Sequence, residues 1–348
     1  MLNTKSNIWT KVNQNRIYVI FLVLFVVMSV IAPNFFNEFN ITNILGTMVL
    51  NAVVVIGFTV VIICGHLDLS IVSVINLAGN IAIYVSLQTG SWALSIIAAV
   101  GAGALVGVIN GLLVTKAKIN SFIATLGMMT LVQGLVYYSN NAATLSTTNF
   151  EAADFLDNAV VPLFPVKALI AIALVIVFHI IIAKTPKGKG FYMVGGNQET
   201  AWFAGLNTDR YLTVAFTLSG LFAALGGALF SLSMASAMAN IGERGINPLM
   251  TIIAATVLGG ASLAGGRGSI LNSFFGVLTL TVLFNALTCF KAGYEIQIFI
   301  SGLVLMVVIL MEAVDTYKKQ KMEGAHSDLM REAVHLSERA GRTKQSKV

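Results

Sequence analysis

The sequence predicts an all-α integral membrane protein of about ten transmembrane helices, with both termini cytoplasmic. Three observations carry this. Apolar runs of spanning length recur along the chain, divided by short polar breaks. Of the 348 residues 57% are apolar and only 10% charged, with mean hydropathy +0.85, whereas a soluble domain is about 45–50% apolar and about 25% charged. Lysine and arginine also gather in alternate breaks, as they do on the cytoplasmic side of membrane proteins. A span needs ~20 apolar residues, so the composition allows about ten crossings and leaves little for a separate soluble core. That excludes an ordinary cytosolic enzyme, a nucleic-acid reader and a disordered chain.

In chain order, spans are expected near residues 17–32, 44–64, 69–88, 92–115, 119–138, 163–183, 211–234, 246–263, 269–289 and 294–313. The first follows Lys5, Lys11 and Arg16 as a signal peptide would, but Pro33-Asn34-Phe35-Phe36 offers no small-residue cleavage site, so it reads as a retained span. Those three cations place the N-terminus inside. Lys116 and Lys118, the group Lys184, Lys187, Lys189 and Arg210, and Arg267 then fall inside too. The long break 139–162 falls outside, with Glu151, Asp154 and Asp157 and no lysine or arginine. The chain thus divides into an N-terminal cytoplasmic segment (1–16), a transmembrane domain (17–317) with a cytoplasmic loop at 184–210, and a basic tail (318–348). The tail holds eight Lys/Arg against four Asp/Glu, net +4 of the chain's formal +6. Leu329, Ala333 and Leu336 trace a thin apolar stripe there. A solvated tail obeying the positive-inside rule is the simpler reading, and a surface-lying helix the other.

Residues that carry chemistry are scarce. Cys64 and Cys289 both lie in apolar runs, which leaves neither a disulfide framework nor a metal motif. His66, His179, His326 and His335 are scattered, and no G-x-x-x-x-G-K-[ST] phosphate loop occurs. The stretch Gly259-Gly260-Ala261-Ser262-Leu263-Ala264-Gly265-Gly266-Arg267-Gly268 resembles a phosphate cradle only superficially. Without a Lys-Ser/Thr ending, it reads as a turn where backbones pass closely. Lys167 and His179 sit near span ends, where both can snorkel. Asp68 lies between two apolar runs and is either a helix cap or, with Ser70, Ser73 and Asn76, part of a broken helix on a transport path.

Gly103, Gly107 and Gly111 recur every four residues on one helix face, the small-xxx-small pattern of close helix packing. Asn76, Asn80, Asn110, Gln133 and Asn285 are uncharged amides at membrane depth, each of which must bond another helix or face a wet cavity. Amides and hydroxyls with almost no charge suit a neutral, hydroxyl-rich solute better than an ion. In the loop 184–210, Asn197 is placed to cap a short helix from Gln198 to Ala204, with Gly205 ending it. This helix presents Trp202 and Phe203 at the cytoplasmic face, as interface anchors or as a docking knob for a partner.

Four ordered segments resemble the permease subunit of bacterial ribose-type carbohydrate ABC importers, over nearly all of 17–317. Leu67-Asp68-Leu69-Ser70 with Ser73 is similar to the family's G-I-D-L-S-x-G-S. The run Asn120 to Met128 is similar to x-x-F-I-A-T-L-x-M, and Gly195-Gly196-Asn197 with Ala201, Gly205 and Asn207 to G-G-N-x-x-x-A-x-x-x-G-x-N. Ala254 to Gly268 is similar to A-A-V-V-L-G-G-x-S-L-x-G-G-x-G. The family usually has glycine where His66 and Val72 stand, and an acidic-Leu-Asp stretch where this chain has Pro248-Leu249-Met250-Thr251.

The resemblance implies a non-catalytic subunit in the bacterial plasma membrane, in contact with lipid, with no cofactor of its own and no nucleic-acid partner. Two permeases, this chain with a second copy or a paralogue, would form the pathway. Cytosolic ATPases holding ATP and magnesium would drive it, and an extracytoplasmic binding protein would deliver the solute. The implied cargo is a small neutral sugar (a ribose-like pentose, a hexose or a polyol). A nucleoside or furanosyl signalling molecule is the alternative, and a self-sufficient secondary transporter the rival from another class. The path residues expected on this reading are Asp68, Ser70, Ser73, Asn76, Asn110 and Gln133. ATPase coupling would fall to Gly195, Gly196, Asn197, Glu199, Ala201, Trp202, Phe203 and Gly205. Helix packing would fall to Gly103, Gly107, Gly111, Gly259, Gly260, Gly265 and Gly266.

Overall fold

The structure, a computed structural model, describes residues 16–241, 247–293, 295–310 and 313–314. The predicted tail 318–348 and all but Arg16 of the N-terminal segment lie outside the described residues. The chain is almost wholly helical. Helices α1 (Arg16–Ile31), α2 (Glu38–Ile63), α3 (Ile71–Thr89), α4 (Trp92–Thr115) and α5 (Ser121–Asn140) come first. The segment after α5 holds β1 (Leu145–Ser146), α6 (Glu151–Asp157), β2 (Ala159–Val161) and β3 (Phe164–Pro165). Then follow α7 (Val166–Lys184), α8 (Pro186–Gly196), α9 (Gln198–Phe203), α10 (Thr208–Ser233), β4 (Ser236–Ala237), α11 (Pro248–Leu258) and α12 (Ile270–Cys289), and α13 (Glu295–Leu310) closes the series. Residues to 305 form one compact unit; 306–310 complete α13, and 313–314 are also helical.

Seven of these helices (α2, α3, α4, α5, α7, α10 and α12) are long and apolar enough to cross a membrane. α1, α11 and α13 are apolar but shorter. Every predicted apolar run is therefore a helix, yet the expected span 246–263 is corrected. Only Pro248–Leu258 is helical there, 11 residues or about 16 Å at 1.5 Å per residue, half of a ~30 Å hydrocarbon core. Gly259 and Gly260 stop it; Gly260 has φ +86°, a conformation that costs glycine nothing. The predicted loop 184–210 also holds one more helix than expected. Thr185 caps α8, its hydroxyl accepting from Gly188 N, with Pro186 in the first turn.

α2 is the central post: most of its length is buried, and it packs on α10, α12 and α7. The closest pairing joins α4 to α10. Gly103, Gly107 and Gly111 face α10, where a Cβ would overlap Gly220 O and Ala224 at the first and Phe216 O at the second, and would lie 2.7 Å from Thr213 Cα at the third. Gly220 returns the contact against Gly103. With no hydrophobic drive between helices in lipid, such close backbone approach is what holds them together. The outward sides of α1 and α4 expose Val23, Val26, Val30, Leu94, Ile97 and Leu105, apolar surface suited to lipid or another chain.

Candidate translocation path and coupling surface

After α10 the chain does not continue as helix. Residues 234–241 turn back non-helically, with Leu145 and Ser146 of β1 pairing Ala237 and Ser236 of β4, and run alongside the middle turns of α3 and α5. Backbone groups freed from a helix in this setting need partners, since lipid offers none. The amides read from the sequence supply them. Gln133 donates to Ala239 O (2.7 Å) and Asn80 to Met238 O (2.9 Å), while Asn76 accepts from Ile241 N (3.1 Å). Asn76 also donates to Gln133 Oε1 (2.8 Å), and Asn140 donates to Asn80 Oδ1 (2.7 Å). The result is a staple of four amides across α3 and α5 that holds one irregular strand of backbone. Asn285, another of the predicted amides, exchanges two 2.9 Å hydrogen bonds with Asn40 between α12 and α2.

Removing one staple amide strands a buried backbone group, at a cost of about 1–3 kcal/mol. Asn76→Ala, which orphans Ile241 N–H and Gln133 Oε1 together, is expected to lower the thermal midpoint of the purified protein more than Thr130→Ala on the exposed face of α5. Equal midpoints would show that the staple does not hold the segment.

Asp68, Ser70 and Asn110 meet at the connection between α2 and α3, all fully or almost fully buried. Asp68 Oδ1 accepts from Ser70 N (3.0 Å) and Ser70 Oγ (2.6 Å), the latter in turn accepting from Asn110 Nδ2 (2.9 Å). Burial pushes the Asp68 carboxyl above its usual range, against the opposing pull of hydrogen bonds from Ser70 and of the nearby Ser219 hydroxyl. Ser73 bonds Ser70 O (2.9 Å) and has no exposed surface. Of the six predicted path residues only Gln133 keeps partial exposure; the six form two groups, the staple and the Asp68 knot.

Helix α9 is built as its sequence suggests. Asn197 Oδ1 accepts from Thr200 N (2.8 Å) at its start. At its end Gly205 adopts φ +84°, with Leu206 N bonded to Ala201 O and Gly205 N to Trp202 O, the paired bonds of a Schellman stop. Ala201 is buried beneath, and Trp202 (62%) and Phe203 (73%) stand exposed. Beside them Asp209 is bonded by Lys116 (2.8 Å) and Lys118 (3.5 Å), bounding a cavity of about 570 Å³ with Trp202. Ion pairs this exposed contribute about 0–1 kcal/mol, so they describe a surface better than they stabilise it.

Behind α9 lies a junction of three backbones. A Cβ at Gly195 would overlap Ile63 O and lie 2.8 Å from Cys64 Cα; Gly265, at φ +86°, lies against Gly195 O and Gly65 Cα; Gly266 N donates to Ile63 O (2.8 Å). Tyr192 donates to Gly268 O (3.1 Å). His66, a departure from the resembled family, contacts Gln198 through its Nε2 (3.1 Å), and burial lowers its pKa. The end of α2, the glycine loop and the end of α8 therefore pack as one junction. Gly259 faces Asn272 on α12, and Gly260 faces open space.

On the opposite side of the bundle Lys167 is buried rather than snorkelled. It pairs with Asp157 and donates to Ser233 Oγ (2.7 Å), on the wall of a cavity of about 240 Å³ that Asn43 and Thr47 also line. Lys167→Met is expected to cost about 1–3 kcal/mol, because Ser233 and Asp157 lose their shared donor; an unchanged chemical-denaturation midpoint would contradict that. Among the described residues no three His, Cys, Asp or Glu side chains gather as a metal site.

Comparison with known proteins agrees with this layout. A family profile described as "Branched-chain amino acid transport system / permease component" matches residues 40–309. The ribose import permease protein RbsC of Bacillus subtilis (strain 168) is 33% identical over 292 residues, 83% of this chain and 89% of the relative. RbsC of Haemophilus influenzae is 32% identical over 303 residues, 86% of this chain and 93% of its own. The L-arabinose ABC transporter permease protein AraH of Azospirillum brasilense is 30% identical over 320 residues, 91% of each chain. No solved structure matches.

Proposed function

This chain belongs to the permease family described as the permease component of branched-chain amino acid transport systems, and on that premise we propose that its own cargo is a small neutral sugar. It is a membrane subunit of an ABC importer, seated in the bacterial inner membrane, with ATP hydrolysis left to a partner ATPase. The observation that carries the cargo is that relatives named for ribose and for L-arabinose each cover most of the chain. The polar side chains of α3 and α5 support it in one respect: they are uncharged amides and hydroxyls, so an ion would meet no counter-charge there.

In this reading the non-helical segment 234–241 and half-helix α11 line the path, a discontinuous span of the kind transporters place at mid-membrane. Ser73, Asn76 and Gln133 stand on its wall, and Asp68, Ser70 and Asn110 close its inner end. The α8–α9 element, from Gly195, Gly196 and Asn197 through Glu199, Ala201, Trp202 and Phe203 to Gly205, docks the ATPase. Seven full spans, two shorter apolar helices and the broken span make ten crossings with both termini inside. A second copy or a paralogue completes the pathway, and a soluble binding protein delivers the sugar outside. The chain's Pro248-Leu249-Met250-Thr251 falls on the first turn of α11, capped by Asn247, so its departure from the resembled family falls on the path.

Uptake by proteoliposomes holding the complete transporter, offered labelled pentoses, hexoses, polyols, nucleosides and branched-chain amino acids with the binding protein, tests the cargo. Selective uptake of a sugar or polyol is expected. Selective uptake of a nucleoside would replace this cargo with the alternative one, and uptake of a branched-chain amino acid would reject it.

A further inference from the structure

We propose that Asp68 is a proton-binding site: it carries its carboxyl as the neutral acid at physiological pH, with the proton on Oδ2. The hydrogen-bond directions around it leave little choice. Ser70 has one hydroxyl proton, and its 2.6 Å bond to Asp68 Oδ1 uses it. The atom of Asn110 at 2.9 Å from Ser70 Oγ must then be a donor, which fixes the amide with Nδ2 toward Ser70 and Oδ1 turned away. Asp68 Oδ1 already accepts from both Ser70 N and Ser70 Oγ. Three buried oxygens remain without partners in this knot: Asp68 Oδ2, Asn110 Oδ1 and Ser219 Oγ.

Two of the three, the carboxylate and the amide oxygens, are acceptors only, and the single proton of the Ser219 hydroxyl can serve only one of them, so one donor is still missing. Among the described residues no cation pairs with Asp68, whose side chain has no exposed surface, and the nearest titratable group on its own segment, His66, is turned to Gln198 and Phe216. The elements packed around the knot face it with Asn110 from α4, Thr125 from α5 and Ser219 from α10, none of them ionisable at physiological pH. An unpaired buried charge would cost several kcal/mol. One proton taken from water removes that cost and gives Oδ2 a bond to donate to Asn110 Oδ1 or Ser219 Oγ. The acid then ties the α2–α3 connection to α4 and α10 without bringing charge into the bundle. The same oxygens are too few and too committed to surround a metal ion: Oδ1 and Ser70 Oγ are both saturated by hydrogen bonds.

Infrared spectroscopy of the purified full-length protein at pH 8 decides the matter, because a carboxyl in water, with its pKa near 4, is ionised there. The expected spectrum keeps a protonated-carboxyl C=O band that Asp68→Asn removes and that Asn110→Ala or Ser219→Ala shifts in frequency. A spectrum of the natural sequence without that band overturns the proposal, whether or not any variant folds. A second arm compares thermal midpoints in sodium and choline chloride at equal ionic strength. Equal midpoints are expected; stabilisation specific to sodium and lost in Asp68→Asn would mean a cation site instead. Neither readout depends on which solute is carried, so the cargo reading stands or falls separately.

Discussion

Gly195→Ala is expected to abolish ATP-driven uptake, whereas the adjacent Gly196→Ala leaves it within about twofold of the natural sequence. A Cβ at 195 would sit on Ile63 O, the carbonyl that Gly266 N uses, and within 2.8 Å of Cys64 Cα. Backbone cannot swing aside as a flexible side chain can, so relief requires α8 to move off the end of α2. Overpacking of this kind costs typically about 1–3 kcal/mol in a core, occasionally more, and here it falls on the joint between the helix proposed to dock the ATPase and the proposed path. A Cβ at 196 meets nothing within 4 Å. The pair separates a loss of fit at the joint from a general loss of helix propensity, which both changes would alter alike. Equal uptake by the two variants would mean that this junction does not transmit the stroke. Gly265→Ala makes the same point from the other side, since a Cβ there would lie 2.5 Å from Gly195 O and the backbone already holds φ +86°.

Trp202→Ala with Phe203→Ala should abolish co-purification of the partner ATPase while the permease still folds. Both side chains are mostly exposed and meet each other edge to face, ring centroids 5.0 Å apart, so their loss leaves no cavity in the core of this chain. Large aromatics that protrude from a rigidly capped helix are the usual anchors of an interface and carry 2 kcal/mol or more each when buried by a partner. The cap at Asn197 and the Schellman stop at Gly205 pre-order the pair, which lowers the entropic cost of docking. Monodisperse permease that no longer retains the ATPase is the expected result. Undiminished complex yield would move the docking surface elsewhere, with Lys116, Lys118 and Asp209 the next residues to change.

Much of this architecture was legible in the residues, for reasons that differ by element. The spans follow from apolar length alone, and α9 follows from Asn197 and Gly205, whose capping chemistry is local. What escaped was non-local. The run 246–263 is mostly apolar, and its hydropathy hides the local stops, Asn247-Pro248 and Gly259-Gly260, that leave only 11 residues helical; nothing in it announces that residues 238–241 before it are held as irregular backbone by Asn76, Asn80 and Gln133, more than a hundred positions earlier. Those amides were recognisable as needing partners, but their partner is a backbone strand rather than another helix. The four glycines of α8 argued against a helix on propensity, yet Gly188 is there because a Cβ would strike Ile181 O and Ile182 O, and Gly190 because Tyr211 lies against it. Lys167 sits near a span end and reads as snorkelling; only the fold of 151–165 brings Asp157 to it.

The central claim is that this chain provides a path but no energy. The most direct test measures solute uptake in proteoliposomes that hold the chain alone and then the chain with its ATPase and binding protein. Uptake that needs all components and ATP, and ignores an imposed proton or sodium gradient, is what the arrangement of α9, the glycine joint and the uncharged path requires. Uptake by the chain alone, driven by an ion gradient, would contradict it and would make Asp68 the coupling residue.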